Sequence, residues 1–483
     1  MSAGDRMTAL DAAFFNLERT GQLLHVGSVS ITERPLDFAR LSDDVASRLH
    51  LIPRYTQRVV PVPFHLAHPT WEPAPHFDVR QHVFRHQLRP PGDLPQLSKL
   101  VSRLFARPLD RERPLWELHQ IDGVEGERSA LFGKVHHCMI DGVSGVQLMG
   151  VLLDPSPKPA PYPPAPPATP RPPLPSATTQ LWRGMREGTR MFAAHARALV
   201  NLVSRPEEAL RELERTGEAL GEMLRVVLER VPPTPFNGHV SILRRVLWRT
   251  VPLHDLKGIK NRLGGTVNDA VLATIAGALR RYLESHGANP DRVELKAMCP
   301  VNVRTEGEHL ALGNRISMMV APLPVGIYDP LERYRQVRAA MTLIKASGES
   351  VRMTRILDLV TLLPPPLQSA VGWMQVQSAP VNTICTNVPG PPVALYTQGV
   401  RLETLVPLVP LAQGIGLAFA MLSYADTLTI GVTLDPALIR DGERIVECLG
   451  ESFEELRTLA GIERSERHGP VRSERQRRPT QVA

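Results

Sequence analysis

Apolar and polar positions change their spacing sharply near the end of the first third of the chain. Residues 130–135 form a short, mostly apolar run between polar neighbours, which predicts a buried strand. From Gly142 onward the apolar residues recur at the spacing of a helix with one buried face. The pattern therefore predicts a strand that passes into a helix through residues 136–141. Such a strand-to-helix switch is a common place for a site in an α/β protein.

The same alternation of strand-like and helix-like patterns resumes after about Ile242. Helices are predicted over residues 268–283 and 329–344, and strands around Met298 and over residues 317–323, 382–387 and 417–432. Because strands alternate with helices in both halves, we predict an α/β fold with mixed sheets flanked by helices.

A proline-rich stretch divides the chain. Its 483 residues are too many for one typical core, so we expect two domains. The repeated prolines between Asp154 and Ser176 cannot sustain a helix or a central strand and predict an extended crossover. Two helices, over residues 177–204 and 205–231, are predicted to follow it. We divide the chain into an N-terminal domain (1–154), a crossover with a helical insert (155–235), a C-terminal domain (236–462) and a disordered basic tail (463–483).

The positive charge of the chain limits the kinds of molecule or surface that it is expected to bind. The formal net charge is +7, and the first predicted insert helix combines Trp182 and Met185 with Arg183 and Arg186. Such a helix could lie on an anionic membrane or lipid-droplet surface, or pack on its own protein with a solvated basic face. Nucleic-acid binding would also explain the charge, but the sequence has no recognition-helix, zinc-finger or aromatic RNA-binding signature.

Cysteine usage and hydropathy indicate the compartment. Four widely spaced cysteines without a CxxC pair are typical of a reduced cytosolic protein. The most apolar run, residues 406–422, is short and contains Pro407, Pro410 and Gln413, so it predicts a buried turn and strand instead of a membrane span. The N-terminus has no secretory signal pattern. We expect a cytoplasmic protein whose association with a membrane would be peripheral.

The segment between the predicted strand and helix contains the candidate chemistry. Neighbouring residues of an extended segment point to opposite sides, so His136 and His137 cannot both face one reacting atom. One neutral imidazole can act as a general base, because its pKa lies near working pH. Asp141, at the helix start, suits a helix cap as well as a proton carrier. Adjacent histidines lack the spacing of a zinc helix, and Cys138 is poorly placed to act as a nucleophile with His137. We predict no metal site.

Residues 136–142 read HHCMIDG and match the HHxxxDG motif of the CoA-dependent acyltransferases. An ordered series of further motifs resembles one branch, the bacterial wax ester synthase/diacylglycerol acyltransferase family. In the family's order these motifs lie at residues 11–15 and 25–27 (its opening strand region), 113–116, 266–269, 300–304, 312–315, 386–391 and 423–424. The resemblance implies two acyltransferase-like domains that enclose a tunnel, with the histidine motif near its middle.

The resemblance also implies roles within the histidine motif. His137 would be the general base, and His136 would shape the site beside it. Asp141, followed by Gly142, would be mainly structural and tied to an arginine, for which Arg304 is the candidate.

The other motifs are implied to shape the substrate site. Pro114, Leu115 and Trp116 would form or support the wall of the acyl channel, although ordinary core packing explains Trp116 equally well. Asn268 is implied to lie near the histidine motif and could donate to an oxyanion or make a structural hydrogen bond. Asp269 and Asn314 belong to the same set of site-shaping positions.

The activity implied is transfer of a long-chain acyl group from acyl-CoA to diacylglycerol, with wax ester formation from long-chain alcohols as a further activity. Acyl-CoA is a co-substrate, and no other cofactor is expected. His137 would take the hydroxyl proton as the oxygen attacks the thioester, without an acyl-enzyme.

Two alternatives are acyl transfer to a polyketide or other specialised hydroxyl, and a catalytically silent lipid-binding scaffold. The expected location is the cytoplasm, with peripheral binding at the inner membrane face or at lipid droplets. The sequence leaves the oligomeric state open.

Overall fold

Two six-stranded sheets and a small three-stranded sheet form the framework of the described residues. The structure is a computed structural model that describes residues 5–18, 22–140, 142–158, 173–186, 189, 232, 234–302, 316–346 and 381–463. The elements of the first half are β1 (Asp5–Arg6), α1 (Ala9–Leu17), β2 (His25–Thr32), α2 (Phe38–Arg48), β3 (Gln57–Val60), β4 (Thr70–Pro73), β5 (Val83–Gln87), α3 (Leu94–Phe105), β6 (Trp116–Val124), β7 (Arg128–His136) and α4 (Gly142–Leu152).

The second half continues with a strand, two helices and further strands. Its elements are β8 (Arg245–Pro252), α5 (Leu253–Leu263), α6 (Val267–Ser285), β9 (Leu295–Asn302), β10 (Ile316–Leu323), α7 (Pro330–Ala346), β11 (Thr383–Val388), β12 (Tyr396–Thr397), β13 (Val400–Leu408), β14 (Leu417–Tyr424), β15 (Thr427–Leu434) and α8 (Gly442–Leu459). The mixed α/β architecture with sheets flanked by helices is the one that the sequence pattern predicted.

The first large sheet is built from both halves of the chain. Its strand order is β12-β13-β2-β7-β6-β5, and β13 pairs antiparallel with β2. The run that ends in Leu408 therefore extends a sheet whose strands β2, β5, β6 and β7 lie more than 250 residues earlier in the chain. Strand periodicity cannot reveal a partner so distant in sequence, and the pattern did not predict this exchange.

The second large sheet forms one side of the larger apolar core. Its order is β10-β9-β11-β14-β15-β8, with parallel pairs between β9, β11 and β14. Helix α6 begins with a capping box formed by Thr266 and Asp269 and is buried along most of its length. Gly277 allows α6 to approach α8 closely, because a Cβ at this position would clash with the Ser452 hydroxyl. The sequence explains this helix through its many small residues, which suit close packing on several faces.

Helix α3 covers the edge of the second sheet. The Ser98 hydroxyl donates to the carbonyl of Val246 on β8, and the Ser102 hydroxyl accepts from the Val246 amide at 2.8 Å. These side chains satisfy backbone groups that an edge strand would otherwise expose. The helix of the first half and the strand of the second half are therefore joined by specific bonds as well as by apolar contact.

Most elements predicted from periodicity are confirmed, and one is corrected. The helices α4, α6 and α7 and the strands β7, β9, β10 and β11 lie where the pattern placed them, and the run 417–432 is the hairpin of β14 and β15. Residues 11–15 were expected in an opening strand region, but they belong to helix α1. The Thr8 side chain accepts from the Asp11 amide and caps this helix, which the alanines that follow favour.

Part of the predicted insert lies outside the described residues. Residues 177–186 are helical, as expected, whereas nearly all of the remaining span of the two insert helices is not described. The same holds for most of the proline-rich crossover and for the tail from residue 464. A search of the helices within the described ranges finds none both long and apolar enough to span a membrane.

Candidate active site

The histidine pair lies at the end of β7, where the chain leaves the first sheet. His136 is the last residue of the strand, and residues His137–Met139 form a 3₁₀ turn before α4 begins at Gly142. The His136 amide donates to the Leu115 carbonyl at 3.0 Å, and the His137 amide donates to the Leu24 carbonyl at 2.9 Å. The predicted strand-to-helix switch is thus present, and backbone bonds to two other segments fix it.

The two imidazoles have different environments. His136 is completely buried, whereas His137 is only half-buried. The His137 ring stacks on Phe14 of α1, with ring centroids 4.4 Å apart and an interplanar angle of 22°. His137 is therefore the more accessible imidazole of the pair.

Glu18, at the C-terminal end of α1, lies beneath the histidine turn. One carboxylate oxygen, Oε1, is 2.9 Å from His25 Nε2, and the other, Oε2, is 3.3 Å from His136 Nε2. Arg111 contacts Oε2 at 2.9 Å. The carboxylate and both imidazoles are buried, so a charged group and two titratable rings share one interior site.

The charges of this site follow from its contacts. Burial disfavours the Glu18 carboxylate, but the adjacent His136 and His25 rings overcome this effect and lower the pKa of Glu18 well below its ordinary value. Burial lowers the pKa of His25, against the opposing effect of Glu18. Burial raises the pKa of the Cys138 thiol well above its ordinary value. Glu18 is therefore ionised at neutral pH, and Cys138 is a neutral thiol without the character of a nucleophile.

A second group of contacting polar side chains lies on the same sheet as the Glu18 site. Lys134 Nζ, two residues before His136, is 2.8 Å from Glu117 Oε2 and donates to the carbonyls of Leu104 and Arg107. His119 Nε2 is 3.1 Å from the same Glu117 oxygen. Burial opposes ionisation of Glu117, but His119 and Lys134 together lower the pKa of Glu117 to about 2. Two ionised carboxylates, those of Glu18 and Glu117, therefore lie next to the strand that ends at His136.

The Pro-Leu-Trp segment supports the histidine turn from the adjacent strand. Pro114, Leu115 and Trp116 are all buried, and the Trp116 indole donates to the Tyr55 carbonyl at 2.8 Å. Leu115 and Trp116 belong to the same apolar cluster as Cys138, Met139 and Ile140. Their observed contacts are those of core packing beneath the turn.

The motif residues of the second half meet one another. The Asn268 side-chain oxygen accepts from the Asn387 side chain at 3.0 Å. Asp269 is buried and accepts from the Thr266 amide at 2.8 Å, which completes the cap of α6. The Gly390 amide donates to the Ser423 hydroxyl at 3.1 Å, so two further motifs are also joined.

Asp141, Arg304 and Asn314 lie outside the described residues, and the predicted pairing of Asp141 with Arg304 stays a prediction. Gly142 is the first residue of α4.

Sequence reasoning missed the role of α1. Glu18 was not singled out, and Phe14 was noted only as part of a motif. A signal was available, because Phe14 and Glu18 are four residues apart and share one face of a helix. Assignment of residues 11–15 to a strand region concealed that spacing.

Known proteins resemble the chain over nearly its whole length. A model of the wax ester synthase/diacylglycerol acyltransferase catalytic domain matches residues 7–271, and a model of the C-terminal domain of the same family matches residues 312–457. The probable diacylglycerol O-acyltransferase tgs1 of Mycobacterium tuberculosis is 32% identical over 457 residues, which cover 94% of this chain and 96% of the relative. The probable diacylglycerol O-acyltransferase tgs2 of the same species is 30% identical and covers 95% and 100%.

Solved structures share the fold. The wax ester synthase/diacylglycerol acyltransferase from Marinobacter aquaeolei VT8 superposes with a TM-score of 0.68 at 24% identity and covers 95% of this chain and 100% of its own. The first condensation domain of the calcium-dependent antibiotic synthetase gives a TM-score of 0.60 at 16% identity, with 95% and 96% covered. The matches over both halves, together with the histidine turn, show that the chain belongs to the wax ester synthase/diacylglycerol acyltransferase family.

Proposed function

We propose that the protein is an O-acyltransferase that moves a long-chain acyl group from acyl-CoA to diacylglycerol. The observation that carries the proposal is the difference between the two histidines. His136 is completely buried at the end of β7, whereas His137 is half-buried and stacks on Phe14. The names of the two mycobacterial relatives support diacylglycerol as the acceptor. Wax ester formation from long-chain alcohols is proposed as a further activity, in line with the name of the structural relative.

In the proposed reaction His137 accepts the proton of the acceptor hydroxyl while that oxygen attacks the thioester carbonyl. The tetrahedral oxyanion then collapses, the carbon–sulfur bond breaks and CoA thiolate leaves. General-base catalysis of this kind contributes about 10²–10⁴-fold, and alignment of the two substrates contributes much of the remainder. Stacking against Phe14 restricts the imidazole plane of His137 and so favours one direction of proton transfer.

The reaction is proposed to proceed without an acyl-enzyme. Cys138 is the nucleophilic side chain next to His137 in sequence, and burial raises the pKa of its thiol far above the working range. Its amide donates to His136 Nδ1 at 3.1 Å, which fixes the backbone of the turn. Both observations favour a structural position for Cys138 and direct transfer between the two substrates.

Peripheral contact with a lipid surface is proposed on the helix over residues 177–186. Trp182 and Met185 are 62% and 57% exposed, and the Arg186 guanidinium lies 5.6 Å from the Trp182 ring centroid. The opposite side packs on the small sheet, where Gln180 donates to the Thr70 hydroxyl at 3.1 Å. One face is thus held by the protein, while an aromatic and basic face is left for an anionic lipid surface.

Product analysis tests the proposed activity. Purified protein is supplied with palmitoyl-CoA and either dioleoylglycerol or hexadecanol, and CoA release is measured together with the lipid products. We expect triacylglycerol to form faster than wax ester. If neither product forms, the proposal is wrong; transfer to other hydroxyl acceptors would then indicate a specialised acyltransferase, and acyl-CoA binding without any turnover would indicate a silent scaffold.

A single-turnover experiment tests direct transfer. Radiolabelled palmitoyl-CoA is incubated with the protein in the absence of an acceptor, and the denatured protein is examined for bound label. We expect no stoichiometric labelling and no burst of CoA. One equivalent of protein-bound acyl group that chases into product on addition of dioleoylglycerol would contradict direct transfer.

A further inference from the structure

The Glu18 carboxylate is connected to the histidine turn by two separate routes. In the first route, Oε1 accepts from the Leu24 amide at 3.4 Å, and the Leu24 carbonyl accepts from the His137 amide at 2.9 Å. The carboxylate therefore reaches the backbone of His137 through a single intervening residue.

The second route passes through the neighbouring imidazole. Glu18 Oε2 lies 3.3 Å from His136 Nε2, and His136 Nδ1 accepts from the Cys138 amide at 3.1 Å. Because Nδ1 accepts a hydrogen bond, the proton of the neutral ring is placed on Nε2, the ring nitrogen nearer to the carboxylate. The two routes end on consecutive amides of the turn, those of His137 and Cys138.

We infer that Glu18 is the positioning residue that fixes the backbone of the turn and thereby aims the His137 side chain. The inference rests on the proposed function, in which His137 is the base. Helix α1 and its C-cap residue position that imidazole in two ways. Phe14 stacks on the ring, and Glu18 holds the backbone of the turn. Glu18 acts through other groups and is not itself a catalytic residue.

The chemistry of the site requires a carboxylate. Oε1 accepts from the Leu24 amide and lies 2.9 Å from His25 Nε2. Oε2 accepts from Arg111 and lies 3.3 Å from His136 Nε2, and Arg111 also donates to the Phe15 carbonyl at 2.9 Å. A glutamine is isosteric, but it presents one oxygen and one amide group, so donors would meet donors on one side. An aspartate keeps both oxygens and is one methylene shorter. Glu18→Gln therefore tests the loss of one hydrogen-bond acceptor, and Glu18→Asp tests a shorter side chain that keeps both acceptors.

Steady-state kinetics of Glu18→Gln in the full-length protein test the inference. We expect kcat to fall about 100-fold through misplacement of the base, with little change in KM for palmitoyl-CoA or dioleoylglycerol. Glu18→Asp should recover part of that loss, because the acceptors remain. Asp435→Asn is the matched control, since Asp435 is a buried carboxylate that accepts from the Ser241 and Ala437 amides in the second half. We expect it to lower stability without lowering kcat per folded molecule.

A spectroscopic measurement on the wild type makes the test independent of turnover. Two-bond ¹⁵N–¹H correlation spectra of histidine-labelled protein distinguish the two neutral tautomers, and the His136 signal is identified by its loss in His136→Asn. We expect the Nε2-protonated tautomer. A His136 proton on Nδ1, or a folded Glu18→Gln protein with wild-type kcat, would overturn the inference.

The outcomes also separate this inference from the proposed function. If the wild type transfers no acyl group but His136 shows the Nε2 tautomer, the proposed function fails while the anchoring geometry stands. If the wild type is active and the tautomer or kinetics disagree, only the role of Glu18 fails. If Glu18→Gln does not fold, the wild-type spectrum and the kinetics of Glu18→Asp still decide the matter.

Discussion

The interior beneath the histidine turn differs in composition from the apolar core around α6 and β14. Beneath the histidine turn the first half buries Glu18, His25, His136 and Lys134 around the first sheet. The corresponding core of the second half, around α6 and β14, is an extended cluster of aliphatic and aromatic side chains. Buried charges must be satisfied at defined distances, whereas apolar side chains need only to fill space. The contacts beneath the histidine turn therefore hold that turn in position, whereas the core around α6 and β14 contributes mainly to stability.

This difference predicts that changes in the two interiors affect different properties of the protein. A cavity in the second core should lower stability alone. A broken contact beneath the histidine turn should lower stability and also the turnover of molecules that remain folded. Four perturbations test or sharpen the contrast.

The largest loss of stability is expected from Phe419→Ala on β14. Phe419 is completely buried, and truncation of a buried phenylalanine costs about 4 kcal/mol through lost transfer free energy and a residual cavity. Denaturant unfolding measures the loss, and kcat per folded molecule should stay near the wild-type value. A large fall in kcat at full folding would contradict the purely structural role of this core.

A loss of about 3 kcal/mol is expected from Glu117→Ala, because the variant leaves the buried Lys134 ammonium without its carboxylate. The double variant Glu117→Leu with Lys134→Met should recover much of this stability, since no buried charge then remains unpaired. Unfolding curves of the single and double variants measure both effects. No recovery in the double variant would mean that packing, and not charge, is what Glu117 supplies.

Mild acid should weaken the first half before the second. Burial lowers the pKa of His25 below its ordinary value of 6.5, so its contribution to stability is complete above pH 6.5 and is lost as the pH falls below it. His82 and His86 are shifted in the same direction by burial, each with a lowered pKa. In the second half, burial raises the pKa of Tyr334 to about 12, which concerns only alkaline pH.

Hydrogen exchange at pH 7 and pH 5 measures this asymmetry. We expect amide protection to decrease first in β2 and β7, where His25 and His136 pair, and later in β14 and β15. Simultaneous loss of protection in both sheets would show that the halves unfold as one unit.

The smallest effect on stability is expected from Phe14→Leu. The substitution keeps an apolar side chain but removes the ring that stacks on His137, and aromatic stacking is worth about 1 kcal/mol. We expect a modest loss of stability and a severalfold decrease in kcat, measured in parallel with Phe84→Leu, which removes the similar stack on His119. Equal kinetic effects of the two variants would argue against a specific role of Phe14.

The sequence predicted what depends on local spacing. The strand over residues 130–135, the helix from Gly142 and the long helix through Asn268 follow from apolar periodicity, and the structure confirms them. The pairing of β13 with β2 could not be predicted, since any strand of suitable pattern could occupy that edge.

The candidate site was predicted less completely than the fold. HHxxxDG singled out His136 and His137, but nothing local shows which polar residue lies beneath them. Glu18 is 118 positions before His136, and its significance depends on the packing of α1 against the turn. A buried carboxylate at a helix end looks in sequence like any solvated helix terminus, and only the tertiary contacts distinguish the two.

The most direct test of the central claim is the kcat of His137→Ala beside that of His254→Ala, an exposed histidine at the start of α5. Both proteins are assayed with palmitoyl-CoA and dioleoylglycerol after their folding is verified by circular dichroism and thermal unfolding. We expect a loss of about 10²–10⁴-fold for His137→Ala, the contribution of a general base, and wild-type turnover for His254→Ala. A folded His137→Ala protein that turns over at the wild-type rate would contradict the assignment of the base.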